Sequence, residues 1–412
     1  MPHILTLLFS SIALIATTAN VSAREAENLV PPAAMTVHEQ MITLDSHLDT
    51  PASIAIEGWS IHDEHDVHHD YSQVDLPRMK KGGLDGGFWV IYTPQGPLDL
   101  DSLRKARDFA ILRGLAIREM VAADPANFAL ATKAQDTERL AASGKRIVYM
   151  SMENAYPIGT DISLVKLFYD MGVRMIGFAH FSNNQFADSA TNPEGEHWGG
   201  LSPLGIELLA EMNRLGIIPD ASHSSDKALD EILALSKTPI ILSHSGCKAV
   251  YNHPRNIDDD RLRALAANGG VIQINSFGSY LRASAPNPER RKALMELFSS
   301  IRGKTALTKA QHELLTAKRR EIDTRHPDTD RQTFDDFMKH LLHAIKVSGI
   351  DHVGIGLDWD GGGGVVGMED VSALPRITNA LLKAGYTQED ITKIWSGNVL
   401  RVLAANEQHA SE

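Results

Sequence analysis

The residues with the clearest chemical potential in this sequence are histidines and acids that stand at the ends of short apolar runs. In His47-Leu48-Asp49, the two outer side chains of an extended segment project to the same side, which allows them to share a ligand. Imidazole nitrogens and carboxylate oxygens without thiolates suit zinc, with Mn²⁺, Co²⁺ or Fe²⁺ as substitutes. The full candidate set is His47, Asp49, Glu153, His180, His223, His244 and Asp358.

The number of candidate ligands indicates two ions rather than one. The chain has 18 histidines and one cysteine, Cys247, so any metal must be held by His, Asp and Glu. Even three histidines and two carboxylates of this set are too many for one tetrahedral ion with an open position. Two ions about 3.5–4 Å apart can, by sharing a carboxylate and a hydroxide. Such a pair activates water for attack at a carbonyl or phosphoryl centre, so the set predicts a two-metal hydrolase.

Strands must position these side chains, and eight short apolar, β-rich runs bounded by turn residues predict them. The runs are Met41–Ser46, Gly87–Tyr92, Arg146–Ser151, Arg174–Ala179, Ile217–Ala221, Pro239–Ser243, Gly270–Asn275 and His352–Leu357. Six of the eight deliver His, Asp or Glu at or just after their ends. A lone histidine is usually structural, and it is this recurrence at strand ends that favours a metal site.

Helical patterns alternate with the strands. They are Ser102–Ala122, Asp136–Ala142, Ser163–Met171, Leu204–Leu215, Asp226–Leu235, Asp259–Ala267 and Thr333–Val347. Alternation with near-continuous apolar strands predicts a parallel sheet covered by helices. Eight such units, with no dinucleotide-type glycine motif, favour an α/β fold with a single (β/α)8 TIM-like barrel. Active residues of such barrels lie at the carboxyl ends of the strands, where the candidate set stands.

Two regions exceed a minimal barrel. Residues 278–331 are charged, with helices predicted at Glu289–Phe298 and Lys309–Glu321, and are interpreted as a helical insertion after the seventh strand. The insertion either shapes the site or is a solvated decoration. The His/Asp-rich segment His62–His69 follows the first strand and is either a metal-capturing or pocket-edge loop or a solvated polar loop.

The N-terminus predicts export. An apolar run from Ile4 to Ala16 is too short to cross a bilayer core of about 30 Å, and it is followed by small residues that end in Val21-Ser22-Ala23. This pattern is typical of a cleavable signal peptide, residues 1–23, with a buried N-terminal helix as the alternative. Residues 24–412 would then form the metallo-dependent hydrolase barrel. One cysteine and no disulfide suit a periplasmic or secreted location.

The charge balance argues against two classes of partner. With 40 Lys and Arg against 52 Asp and Glu, the formal net charge is -12. Such acidity disfavours nucleic acid and anionic membrane surfaces as partners. A small-molecule substrate remains the expected partner.

Several motifs occur in one order between about Ile42 and Val402, and so cover most of the chain. They are Asp45-Ser46-His47-Leu48-Asp49-Thr50-Pro51, Gln73-Val74-Asp75-Leu76-Pro77-Arg78-Met79, Asp220-Ala221-Ser222-His223, Ser243-His244-Ser245, Arg255-Asn256-Ile257-Asp258-Asp259, His352-Val353-Gly354-Ile355-Gly356-Leu357-Asp358-Trp359-Asp360-Gly361 and Gly397-Asn398-Val399-Leu400-Arg401-Val402. With these motifs the chain resembles the membrane (renal) dipeptidase family of zinc peptidases, within the amidohydrolase-like barrels.

The resemblance implies a metal role for five of the candidates. His47 and Asp49 would bind the first zinc, and His223 and His244 the second. Glu153 would bridge the two ions.

The resemblance also implies roles in the reaction for three residues. His180 would polarise the scissile carbonyl, and Asp358 would move the proton from the bridging water to the leaving amine. Arg255 would clamp the C-terminal carboxylate of a dipeptide, in keeping with the bidentate geometry of a guanidinium. A surface ion pair of Arg255 with Asp258 or Asp259 is the alternative.

The chain departs from the family pattern at three places. Glycines usually follow the bridging glutamate, but Glu153 is followed by Asn154-Ala155-Tyr156. Phe178 and Ala179 precede His180 in place of the usual threonine context, and the 278–331 insertion is long. These changes leave the metal ligands intact and bear on the range of substrates.

The function expected from all of this is that of a binuclear zinc dipeptidase that hydrolyses dipeptides by a metal-bridging hydroxide. C-terminal D-residues and β-lactams are expected as further substrates. The alternatives are a two-metal amidohydrolase for N-acyl amino acids, lactones or phosphoesters, and a periplasmic zinc-binding protein without activity. The resemblance also suggests a homodimer.

Overall fold

Eight parallel strands form a nearly closed barrel in the computed structural model, which describes residues 30–301, 304 and 306–410. The strands are β1 (Leu44–Leu48), β2 (Gly86–Tyr92), β3 (Phe128–Leu130), β4 (Arg146–Glu153), β5 (Val173–Gly177), β6 (Ile218–Asp220), β7 (Ile241–Cys247), β8 (Asn256–Ile257), β9 (Val271–Ile274) and β10 (Val353–Ile355). Around the barrel the order is β1-β2-β4-β5-β6-β7-β9-β10, and the short strands β3 and β8 pair with β4 and β7. The predicted signal peptide, residues 1–23, lies outside the described residues.

The seam of the barrel lies between β10 and β1. Leu48 pairs with Trp359 just beyond β10, and the Asp49 amide donates to the Trp359 carbonyl at 2.9 Å. The buried carboxylate of Asp45 accepts hydrogen bonds from the amides of His47 and Leu357, so it joins the two edge strands. These contacts bring the residues that follow β1 and β10 to the same part of the rim.

Helices cover the outside of the barrel. They are α1 (Pro32–Glu39), α2 (Pro51–Ile54), α3 (Leu76–Lys81), α4 (Leu100–Ala123), α5 (Asp136–Ala142), α6 (Leu164–Met171), α7 (Pro203–Leu215), α8 (Asp226–Leu235), α9 (Asp259–Ala267), α10 (Gly278–Leu281), α11 (Pro288–Ser299), α12 (Lys309–Arg325), α13 (Phe334–Ser348), α14 (Pro375–Lys383), α15 (Gln388–Thr392) and α16 (Asn398–Ala410). Short 3₁₀ turns lie at Tyr156–Ile158, Ile350–His352 and Val371–Ala373, and a π-helical turn at Lys393–Gly397 joins α15 to α16. Among the described helices, none combines the length and the apolar character needed to cross a membrane.

Local sequence signals account for the bounds of several helices. At the start of α7, the Ser202 hydroxyl accepts from the Gly205 amide, and Pro203 occupies the first turn. The helix ends at Gly216, whose φ of 75° is the left-handed conformation that glycine adopts without steric cost. The barrel strands are buried on both faces, as expected for a parallel sheet under helices.

The predicted α/β barrel is confirmed, and the eight predicted barrel strands are present with ends shifted by a few residues. The largest shift is at the end of β7, which was predicted at Ser243 and lies at Cys247, and the first strand begins at Leu44 instead of Met41. The two-residue and three-residue strands β8 and β3 were missed, since so short a segment carries no readable period. The helices at both ends of the described chain, α1 and α14 to α16, were also not predicted.

Residues 278–331, the predicted insertion, lie between β9 and α13 and contain α10, α11 and α12. The helix α12 contacts the loop that follows α2. The Tyr71 hydroxyl donates to Asp323 at 2.6 Å, the Arg319 guanidinium lies 3.7 Å from the centre of the Tyr71 ring, and the Glu57 amide donates to the Leu307 carbonyl. The insertion is therefore packed beside the barrel mouth.

The His62–His69 loop is held by contacts between His65 and the residues that flank the loop. Both ring nitrogens of His65 have partners, the Asp70 carboxylate at 2.5 Å and the Ser60 carbonyl at 2.8 Å, and its ring stacks on Trp59 with centroids 4.8 Å apart. Within the described part of the chain, no histidine of this loop belongs to a group that could hold a metal. The loop is therefore not a second ligand set, and His62 lies beside Asp124 and Phe128, near the start of β4.

Candidate active site

Glu153, the last residue of β4, lies at the centre of a cluster of imidazoles at the carboxyl end of the barrel. Its Oε1 is 3.1 Å from His223 Nε2, 3.4 Å from His244 Nε2 and 3.7 Å from His180 Nε2. Its other oxygen, Oε2, is 3.7 Å from His47 Nε2. Four strand ends separated by up to about two hundred positions in the sequence thus meet at one carboxylate.

The two remaining acids of the predicted set lie on the His47 side of the cluster. Asp49 Oδ2 is 3.4 Å from His47 Nε2. A Cβ placed on Gly361 would lie 2.1 Å from Asp49 Oδ2 and 2.3 Å from Asp358 Oδ1, so both carboxylates pack directly over this glycine. Any side chain at position 361 would displace them.

The donor atoms fall into three groups that could each hold a metal ion. Within each group, the ligand atoms lie within 4.8 Å of one another. The groups are His47 with Glu153 and His244, Glu153 with His180 and His223, and His47 with Asp49 and Asp358. The overlap at Glu153 and His47 is what a pair of neighbouring ions would require. His180 belongs to one of these groups, because its Nε2 lies 3.7 Å from Glu153 Oε1. The resemblance instead gives His180 a role at the substrate carbonyl.

The buried nitrogens of the cluster fit a metal ion. His47 Nε2 is buried and has no hydrogen-bond partner among the described residues. The Nε2 atoms of His223 and His244 face each other at 2.8 Å, too close for two protonated nitrogens. An unpartnered buried nitrogen costs free energy that a bound cation would recover.

A chain of hydrogen bonds places the proton of His244 on Nδ1, the ring nitrogen that points away from Glu153. The Ser243 hydroxyl donates to Asp220 Oδ2 at 2.6 Å and therefore accepts from His244 Nδ1 at 2.9 Å. Asp220 is held in turn by the amides of Ser222 and Ser243. With its proton on Nδ1, His244 presents the Nε2 lone pair to the cluster.

Burial keeps two of the imidazoles neutral. It lowers the pKa of both His223 and His244 well below the ordinary histidine value, and neutral imidazole is the form that binds a metal. Burial also lowers the pKa of His47, but the negative charges of Glu153 and Asp49 outweigh that effect and raise it well above its usual value. The same charges attract a divalent cation to this position.

The acids at the centre differ in their electrostatics. Burial raises the pKa of Glu153, but the charges of His180 and His47, with hydrogen bonds from two further imidazoles, hold the pKa well below its usual range. Burial raises the pKa of Asp358 well above the ordinary value; His47 opposes this shift, whereas the charges of Asp49 and Glu153 add to it. Asp358 thus accepts a proton more readily than Glu153 does.

Several residues of the rim adopt the left-handed backbone conformation. The φ angles are 69° at Asn154, 67° at His223, and 64° at both Asp358 and Asp360. Such conformations cost about 1–3 kcal/mol and cluster at functional sites. Asn154 explains one departure from the family pattern, because asparagine tolerates the conformation that glycine would otherwise supply. The side-chain amide of Asn154 also joins two neighbouring loops, because it donates a hydrogen bond to Gln95 and accepts one from Asn184.

Asp358 and Asp360 occupy different environments, which supports the choice of Asp358. The Asp360 carboxylate accepts hydrogen bonds from the Thr50 hydroxyl at 2.7 Å and from the backbone amide of Gln73 at 2.6 Å. Asp360 therefore anchors the loop after β1. Asp358 instead shares a possible metal group with His47.

Arg255 is buried next to the cluster, with 1% of its surface exposed. Its Nη2 donates to the His244 carbonyl at 2.9 Å, and its guanidinium lies 5.3 Å from the centre of the Tyr280 ring. Among the described residues, no carboxylate lies within ion-pair distance of it.

The alternative that Arg255 pairs with a neighbouring surface acid is wrong. Asp258 instead forms an ion pair with Arg261, and Asp259 lies 2.8 Å from His343. These acids are engaged by the start of α9 and by α13, so they are not available to a guanidinium buried under the cluster.

A cavity of about 1370 Å³ opens above the cluster. It is lined by Asp49, Tyr92, Arg113, His180 and several residues of α11. This volume exceeds the ~300–1,000 Å³ typical of small-molecule pockets. The insertion therefore shapes the space that a substrate enters, which favours the functional interpretation of that region.

Ser243→Ala should weaken metal binding by about 10- to 100-fold, the usual effect of removing an outer partner of a ligand. The variant removes the hydroxyl that keeps the His244 proton on Nδ1. Metal affinity, measured by competition with a chromophoric chelator, checks this. Ser222→Ala is the control, because it removes a hydroxyl from the same buried region. The Ser222 hydroxyl contacts other serines and the backbone amide of His244, and it does not contact the His244 ring. Equal affinities of the two variants would contradict a specific role for Ser243.

Sequence reasoning missed the residues that support the predicted site. Asp220, Ser222 and Ser243 stand inside motifs that were recognised, but only strand register shows that β6 and β7 place them against one ring. Gly361 was recognised as part of a motif without its packing role. Arg113 lies on α4 outside every motif, and nothing in its surroundings in the sequence marks it.

Comparisons with known proteins agree with this geometry. Residues 32–412 match the family described as membrane dipeptidase, peptidase family M19. Dipeptidase tcpJ of Claviceps purpurea is 33% identical over 344 residues, which span 82% of this chain and 70% of that protein.

Solved structures give the same result. The probable dipeptidase PvdM from Pseudomonas aeruginosa superposes with a TM-score of 0.77 at 31% identity, covering 92% of this chain and 98% of that one. A metallopeptidase from Rhodobacter sphaeroides, liganded with a phosphinate mimic of the dipeptide L-Ala-D-Ala, gives a TM-score of 0.69 at 25% identity, with 89% and 99% coverage.

Proposed function

This chain belongs to the membrane dipeptidase family and is a metallodipeptidase, and on that premise we propose that it uses two zinc ions to hydrolyse dipeptides with a free C-terminal carboxylate. The observation that carries the proposal is the buried guanidinium of Arg255, which has no carboxylate partner among the described residues and contacts the backbone of a candidate metal ligand. A dipeptide supplies the missing anion, and its peptide bond would then lie above the cluster.

Five side chains would hold the metal ions. His47 and Asp49 would bind one ion and His223 and His244 the other, while Glu153 would contribute an oxygen to each. When bound, divalent cations at this position lower the pKa of water and neutralise charge that develops on the carbonyl oxygen. Mn²⁺, Co²⁺ and Fe²⁺ bind the same donor types and are the proposed substitutes.

Three further side chains would act on the substrate. Arg255 binds the C-terminal carboxylate and so sets the position of the scissile bond. His180 donates a hydrogen bond to the carbonyl oxygen of that bond. Asp358 accepts the proton of the attacking water on its carboxylate and delivers it to the amine that leaves.

The family premise favours dipeptides over the other bonds considered for a two-metal site, and it sets aside a zinc-binding protein without activity. N-acyl amino acids, lactones and phosphoesters remain useful as comparison substrates. We also propose that dipeptides with a C-terminal D-residue, and β-lactams, are hydrolysed. Support comes from the related Rhodobacter enzyme, whose ligand mimics L-Ala-D-Ala, and from the spacious cavity. Comparing kcat/KM for L-Ala-L-Ala, L-Ala-D-Ala and a penem tests this part, and turnover of the first alone would refute it.

Arg255→Met should raise KM for L-Ala-L-Ala by about 10²-fold or more, since one partner of a buried charged pair is lost. We expect a smaller change in kcat, because the residues around the reacting bond are intact. Steady-state kinetics with the free dipeptide and with its C-terminal amide check the prediction. The amide should be a poor substrate for the native protein and equally poor for the variant. Arg261→Met, which removes a surface ion-paired arginine, is the control. Unchanged discrimination between acid and amide in Arg255→Met would contradict the proposal and favour a blocked substrate.

We further propose that the protein is exported and acts in the periplasm or outside the cell. The support is the apolar run and small residues within positions 1–23 of the sequence. N-terminal sequencing of the protein recovered from fractionated cells should begin at Arg24, and recovery of the intact N-terminus in the cytosol would refute export. The homodimer suggested by the resemblance stays a prediction that light scattering can test.

A further inference from the structure

A second buried arginine without an acidic partner lines the cavity. Arg113, in the middle of α4, has 8% of its surface exposed. One of its terminal nitrogens donates to the carbonyl of Pro51, at the start of α2. Within the described part of the chain, no carboxylate lies within ion-pair distance of it, and its remaining donors are not among the buried atoms without partners. The Arg113 side chain lines the cavity, where its guanidinium lies 5.4 Å from the centre of the Phe109 ring.

Arg113 and Arg255 act on different ends of the metal cluster. Arg255 contacts the His244 backbone, and its charge lowers the pKa of the buried His223, adding to the effect of burial. Arg113 instead lines the large cavity together with Asp49. Burial lowers the pKa of Arg113, and the negative charge of Asp49 opposes that shift. A cation held by Asp49 would compensate the charge of this carboxylate, and an anionic group of a substrate would then be the remaining counter-charge for Arg113.

The position of Arg113 relates it to a particular part of a dipeptide. With the C-terminal carboxylate at Arg255 and the scissile bond above Glu153, the N-terminal residue must extend toward the other end of the cluster. The cavity there has room for a side chain, and Arg113 is the cation in its wall that the barrel holds buried. A guanidinium presents paired donors that match a carboxylate.

We propose that Arg113 binds the side-chain carboxylate of an acidic N-terminal residue, so that the preferred substrates are dipeptides beginning with Glu or Asp. This inference rests on the proposed dipeptidase function and adds a substrate class to it. Arg113 contacts the substrate away from the reacting bond and acts as a specificity-determining residue. If Arg113 only anchored the Pro51 carbonyl, kcat/KM would not depend on the charge of the N-terminal side chain.

The test compares L-Glu-L-Ala with L-Gln-L-Ala, which have nearly the same shape and differ in one charge, and uses L-Ala-L-Ala as a reference. We expect native protein to favour Glu over Gln at least tenfold in kcat/KM, mainly through KM. Arg113→Met should bring that ratio to about one while leaving L-Ala-L-Ala hydrolysis within a few-fold. Arg113→Lys, which keeps the charge, should retain part of the preference. Arg118→Met is the matched control, because Arg118 lies on the same helix and also donates to a backbone carbonyl, that of Met171, but is exposed.

A binding measurement separates recognition from turnover. In the Asp358→Asn background, calorimetry should give a tighter Kd for L-Glu-L-Ala than for L-Gln-L-Ala, and the difference should disappear in Arg113→Met. A Glu/Gln ratio near one in the native protein, or a preference that survives Arg113→Met, would overturn the inference even if L-Ala-L-Ala is hydrolysed. Failure to hydrolyse any of the three dipeptides would instead overturn the proposed function.

Discussion

Asp358→Asn is expected to lower kcat for L-Ala-L-Ala by about 10³- to 10⁴-fold, the upper part of the range for loss of a general acid–base group. The carboxyl group lies beside Asp49 over Gly361, where it can accept a proton, and an amide cannot. Asparagine also tolerates the φ of 64° found at this position, so the loop after β10 should keep its shape. KM and metal content should change little. Steady-state kinetics and metal analysis by mass spectrometry of the same preparation measure these quantities.

Asp360→Asn provides the matched control two residues away. Its carboxylate binds the Thr50 hydroxyl and the Gln73 amide, so its loss should affect stability more than kcat. If Asp358→Asn stays within tenfold of native kcat, or if the two variants lose kcat equally, Asp358 is not the group that moves the proton.

Glu153→Gln is expected to weaken the metal site so that it no longer retains two ions. Four imidazole nitrogens lie within 3.7 Å of this carboxylate, and the variant keeps its shape while removing the charge that two cations would share. We expect kcat/KM to fall by about 10⁴-fold or more, because residues that act as a unit fail together. Metal content after dialysis should fall below two ions per chain.

Glu196→Gln is the control for loss of a paired glutamate, since Glu196 pairs with Lys227 on the surface. It should retain native metal content and activity. Retention of two ions and near-native activity by Glu153→Gln would contradict a bridging role for this carboxylate.

The sequence was most informative about features that repeat. Buried parallel strands appear as apolar runs, and the barrel then requires their carboxyl ends to meet. For that reason, His47 in β1 and His244 in β7 could be placed together although about two hundred residues separate them. The end of β5 shows the limit of this reasoning. The strand was predicted to continue through Ala179 and ends at Gly177, so His180 belongs to the following loop.

Features that depend on three-dimensional register could not be predicted in this way. The proton position on His244 depends on Ser243 and on Asp220 from the neighbouring strand. The left-handed backbone of Asn154 depends on the loops that its side chain joins. Arg113 was invisible because an arginine on an amphipathic helix usually faces solvent, and only the fold shows that this one points into the cavity wall.

Dipeptide hydrolysis by this protein should require two metal ions at the rim of the barrel. The measurement that tests it is a titration of metal-free protein with zinc, in which hydrolysis of L-Ala-L-Ala is followed at each ratio of metal to chain. We expect activity to be absent without metal and to reach its plateau at two equivalents. Full activity without added metal, or a plateau at one equivalent, would contradict the account.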